Sequence, residues 1–107
     1  PTEIADTSGI ELNESKLKDE TLMLDYFNSI AFRIKHNIGD WADRNFIISR
    51  GRLYSVDEDS VKTKVSLERN VKKNRRKLIF ENFHQMKNKM NPDLLCYIES
   101  LIPLQSE

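Results

Sequence analysis

Cysteine occurs once, at Cys96, so the chain can hold neither an internal disulfide nor a cysteine-cluster zinc site. A lone cysteine suits a reducing compartment. Three glycines and three prolines in 107 residues leave little material for tight turns, which disfavours an all-β sandwich or barrel. No run approaches the roughly 18 consecutive apolar residues of a membrane span, and no apolar signal-peptide core follows a basic start. A membrane partner is therefore not expected. Net charge is lacking as well: 17 basic and 17 acidic residues cancel, so any electrostatic signal must come from their distribution.

Constellations that carry chemistry are equally scarce. There is no Gly-rich phosphate loop, Walker sequence or nucleophile elbow. His36 and His84 belong to no plausible metal-ligand set at helical spacing. His36 suits the last turn of a helix, where a cation meets the negative dipole end, and His84, beside Phe83 on a helix surface, reads as a residue at the boundary of the core. Cys96 has no neighbouring base or cation to activate it. Asp57-Glu58-Asp59 lacks the spaced ligands and the glycine of a calcium loop. Trp41 and Tyr54 lie in no recognisable RNA-binding motif and read as core or rim. The expectation is a protein that is not an enzyme and uses no cofactor or metal.

What is present is an arrangement of helices. The first 20 residues carry six acids and two lysines, a net charge of −4, with sparse apolar positions. Residues 1–18 accordingly read as a mobile acidic tail before a single helical domain over 19–107. Met23, Phe27, Ile30, Ala31, Ile34 and Ile38 then fall within an arc of about 100° on a helical wheel. Asp19 or Thr21 can cap that helix and Gly39 can end it. Residues 40–56 allow either a short helix from Asp40 through Trp41, Ala42 and Phe46 or a hairpin around Arg50-Gly51, and the helix is preferred. A helical pattern follows from Asp59 to Met90, with Phe83, Met86 and Met90 on its apolar side. Asn91-Pro92 starts a last helix bearing Leu94, Leu95, Ile98, Leu101 and Ile102. The fold class expected is all-α: a small bundle of three to four helices with one long central helix carrying a basic segment.

That central stretch breaks its own pattern. In its middle the apolar stripe is occupied by Glu68, Lys72 and Arg75, and burying three unpaired charges would cost several kcal/mol each. Thirty-two continuous helical residues would also span about 48 Å, against a diameter near ~33 Å for a compact chain of this size. Either the helix breaks near Asn70 or Asn74, or its middle projects; both expose the charges. Residues 61–77 hold eight bases and one acid, a net charge of +7. Lys62, Arg69, Lys72, Lys73, Arg76 and Lys77 share an arc of roughly 140°. Together with Arg75 they are the candidate partner- or nucleic-acid-binding residues, and six phosphate contacts would give a log-log salt slope near −5.

Lys72-Lys73-Asn74-Arg75-Arg76-Lys77 also resembles a short nuclear-import cluster, so the nucleus is the expected compartment, with the cytoplasm as the alternative. The function expected is that of a helical protein-interaction module, a subunit or scaffold of a nuclear DNA-associated complex. Its protein partner would present an acidic surface or be another subunit of the complex. The alternative is direct nucleic-acid binding through the basic helical face.

Overall fold

The computed structural model describes residues 9–56, 65 and 67–99. Helices dominate, but three strands pair antiparallel in the order β1-β2-β3: β1 (Ile10–Glu11), β2 (Phe46–Ser49) and β3 (Arg52–Ser55). The fold is therefore α+β, which corrects the all-α bundle expected from the composition. The correction comes from residues 40–56. Arg50 and Gly51 take positive φ of 54° and 76°, the geometry of a two-residue turn whose twist matches the flanking strands. Phe46 pairs with Ser55, Ile48 with Leu53, and Ser49 with Arg52. Alternation buries Phe46, Ile48 and Leu53 on one face and leaves Tyr54 exposed on the other. Turn chemistry prevailed with a single glycine, so glycine scarcity argued against many hairpins without excluding one.

α1 (Glu20–Lys35) forms where the apolar spacing places it. The Asp19 carboxylate accepts from the Thr21 and Leu22 amides and caps its start. The helix ends before Gly39: Asn37 takes φ 56°, its amide donates to the Ile34 carbonyl, and the Ile38 amide donates to the Arg33 carbonyl. This is a Schellman end with asparagine in the left-handed position usually held by glycine. One face of α1 buries Tyr26, Phe27, Ile30 and Ala31 against the sheet and the other helices.

The long central helix is not continuous. α2 (Leu67–Asn70) is separated by Val71 and Lys72 from α3 (Lys73–Lys87). Val71 is buried, and Lys72 is extended with ψ 157°, so the chain turns an apolar side chain inward at the break and then restarts. Residues 59–64 and 66 of the expected helix lie outside the described residues. α4 (Pro92–Glu99) opens with Asn91 as cap, its side-chain oxygen accepting from the Asp93 amide at 2.9 Å. It packs chiefly on α1. Phe83, Met86, Met90 and Ile98 all join the core.

Residues 1–8 of the acidic N-terminal stretch lie outside the described residues. Over the rest, the Leu12 amide donates to the Phe46 carbonyl, and Leu12 and Leu17 are buried in the core. Gly9 crosses β2 so closely that a Cβ there would meet the Ile47 side chain at 2.3 Å. No helix among the described residues is long and apolar enough to cross a membrane.

Candidate functional site

The break between α2 and α3 gathers most of the candidate basic residues. Arg69 is exposed on α2, Lys72 is exposed at the N-cap of α3, and Lys73 and Lys77 are exposed one turn apart on α3. Arg76 is half-buried, and its guanidinium donates to the Val71 carbonyl at 2.8 Å, bracing the break from the C-terminal side. Lys62 lies outside the described residues. Lys72, Lys73 and Lys77 make no ion pair with any other described residue, whereas Arg44, Arg52, Arg75 and Lys89 each pair with an acid.

The start of α3 adds to this positive potential. Its first turn contains no acid, and the Lys72 side chain forms no capping bond to the first amides. Those amides form the positive end of the helix dipole, where acidic side chains are ordinarily favoured. Lys72 and Lys73 there oppose the dipole and are a local cost to stability.

Arg75 points the other way. Only 8% of the residue is exposed, and its two terminal nitrogens donate to the two Asp43 oxygens at 3.0 and 3.1 Å. Nη1 also lies 3.4 Å from the Tyr26 hydroxyl, and the guanidinium stands 5.4 Å from the Tyr26 ring centroid. Glu14 approaches Nε at 3.8 Å, too far for a hydrogen bond, and Nε is buried without a hydrogen-bonding partner. Burial works against the charge of Arg75, but Asp43 and the Tyr26 hydroxyl together outweigh it and raise the pKa of the guanidinium. Burial likewise raises the Tyr26 hydroxyl above its ordinary pKa, with Arg75 opposing. Of the seven candidate residues, then, the fold turns Arg75 inward as a clamp joining α3 to α1 and to the turn at residues 43–45.

Three further charged residues, Arg33 and the pair Asp25–Arg52, have no counterpart in the sequence reading. Arg33 is wholly buried beneath the sheet, donating to the carbonyls of Gly39 and Val56 at 2.9 and 2.6 Å and to the Ser55 hydroxyl at 3.0 Å. Its guanidinium stands 5.2 Å from the Phe46 ring centroid. The spacing of Tyr26, Ile30 and Arg33 along one helical face carried that signal. The Asp25 carboxylate takes both arms of Arg52 at 2.8 Å and the Leu53 amide at 3.1 Å, which ties the hairpin to α1. A separation of 27 residues gave that pair no local signature.

Other residues singled out earlier fall as follows. The Trp41 indole is buried and donates to the Ile38 carbonyl at 2.6 Å. His36 is exposed with its ring centroid 4.5 Å from that of Phe32, and His84 and Cys96 are exposed. No group of three or more His, Cys, Asp or Glu able to hold a metal occurs among the described residues. Asp57-Glu58-Asp59 lies outside them. Compared with known proteins, the chain matches no family model, no curated protein and no solved structure.

Proposed function

We propose that this chain is a non-enzymatic docking module whose cationic ridge at the α2–α3 break engages a negatively charged macromolecule within a nuclear, DNA-associated assembly. The observation that carries the reading is the isolation of Lys72, Lys73 and Lys77. They are exposed without an acidic partner among the described residues, in a chain with as many acids as bases. Such a cluster opposes the helix dipole, and an external anion relieves both the mutual repulsion of the lysines and their conflict with the dipole. The Arg75 clamp supports the reading in a second way, by fixing the backbone from which the lysines project.

The test is retention on an immobilised polyanion such as heparin. The triple variant Lys72→Gln/Lys73→Gln/Lys77→Gln should elute at clearly lower salt than the natural chain, with an unchanged far-ultraviolet circular dichroism spectrum. Arg75 and Arg76 are left intact because both make internal bonds. Co-elution of the two proteins would refute the docking role.

A further inference from the structure

Resting on that reading of the ridge, we infer that its partner is the phosphate backbone of a B-DNA duplex, contacted without regard to base sequence. The argument turns on what the ridge does not expose. Stable protein interfaces centre on buried apolar and aromatic anchors, and lysine is depleted from them. Among the described residues the exposed large hydrophobics are Ile10, Tyr54 and Val56, which belong to the strands and their ends. Around the ridge, Leu67, Val71 and Ile79 are buried and Leu78 and Phe80 pack half-buried against the core, while the exposed positions are Arg69, Lys72, Lys73, Asn74 and Lys77. That is a polar, strongly positive surface with no anchor for a protein groove, and it has the character of a nucleic-acid interface.

The same inventory selects among nucleic acids. Single strands are held largely by bases stacking on aromatic side chains. The ridge presents none: the described aromatic exposed to solvent is Tyr54, on the hairpin. A duplex hides its base faces and offers regularly spaced phosphates, which point-charge lysines match without bidentate geometry. The lysines also surround the start of a helix. B-DNA's major groove, about 12 Å wide, admits a helix between its phosphate rims, and the deep, narrow groove of A-form RNA does not. Of the arginines in this cluster, Arg75 is committed to Asp43 and Arg76 donates to the Val71 carbonyl, which takes both guanidinium groups away from base edges. What remains accessible neutralises phosphate and reads little sequence.

Counting only the three lysines that have no partner among the described residues gives a minimum slope of log Kd against log salt. At ~0.9 per phosphate contact the slope is about 2.7, a weakening of about 40-fold between ~50 and ~200 mM salt. Fluorescence anisotropy of the full chain with a mixed-sequence duplex about two helical turns long measures it. The expected results are a slope of at least that size and unchanged affinity when the duplex sequence is permuted. Lys73→Gln alone should lower the slope by about 0.9, and the triple variant by about 2.7. A slope unaffected by these substitutions would overturn the inference. So would tighter binding to the corresponding single strand or to a duplex RNA. If polyglutamate of equal charge binds at least as tightly as the duplex and loses that binding in the triple variant, the phosphate assignment falls while the docking role stands. If the polyanion column also fails to separate the variant from the natural chain, both fall.

Discussion

Arg33 and Arg75 both take a guanidinium out of water, and the fold meets the desolvation cost differently in each case. Arg33 is solvated by a ring of backbone and hydroxyl oxygens where α1, the loop after it and the end of β3 converge. Arg75 is met by a carboxylate in a fork-to-fork pair, the strongest geometry available to an arginine. Asp25 is the third such anchor, and its effect is open to titration. Burial pushes its carboxyl up, but the Arg52 guanidinium and the Leu53 amide outweigh that effect and hold the pKa below the ordinary aspartate value. A carboxylate whose folded pKa is depressed stabilises the fold above its unfolded pKa, and that contribution fades as pH falls through the folded value. Denaturant unfolding at a series of pH values should therefore show stability falling more steeply below about pH 4 in the natural chain than in Asp25→Asn. At neutral pH the variant should be the less stable, because an amide cannot accept both arms of Arg52. Parallel pH profiles for the two proteins would show that Asp25 contributes nothing through its charge.

At the scale of elements, α1, the restart at Asn91-Pro92 and the core role of Phe83, Met86 and Met90 were legible because periodicity and capping are local properties. The hairpin was not. Its turn depends on Arg50 accepting a left-handed conformation that arginine disfavours, which pairing with β2 and packing on α1 impose. The basic ridge was legible as charge, since Lys72, Lys73 and Lys77 are exposed as their pattern required. Arg75 was not separable from them, because the Asp43 that draws it inward lies 32 residues away. The start of α3 shows how such a ridge trades against stability. Lys72 occupies an N-cap with φ −66° and ψ 157°, a conformation in which Asp, Asn or Ser would bond the first amides. Lys72→Asp should accordingly raise unfolding stability by about 1 kcal/mol while weakening duplex binding. Opposite signs in these two measurements are the signature of a residue retained for its partner; a variant that loses stability would contradict the capping geometry.

For the whole molecule, helices and sheet share one core, and the N-terminal stretch helps to close it. Phe46 sits edge-to-face on Tyr26 with ring centroids 5.3 Å apart, so the sheet's central strand and α1 pack through their largest side chains. β1 covers the other edge of β2, the Leu12 amide bonds the Phe46 carbonyl, and Leu17 is fully buried beside α1. Glu14, in the same stretch, approaches Arg75 directly beneath the ridge. Removing residues 1–18 deletes two buried leucines at ~1.5–3 kcal/mol each and unpairs an edge of β2. Against a typical total stability of ~5–15 kcal/mol, that is a loss of about 3–6 kcal/mol before any hydrogen bond is counted. A chain beginning at Asp19 should therefore unfold at much lower denaturant concentration than the full chain, or fail to fold cooperatively. Equal midpoints for the full chain and the chain beginning at Asp19 would mean that Leu12 and Leu17 do not hold the core together.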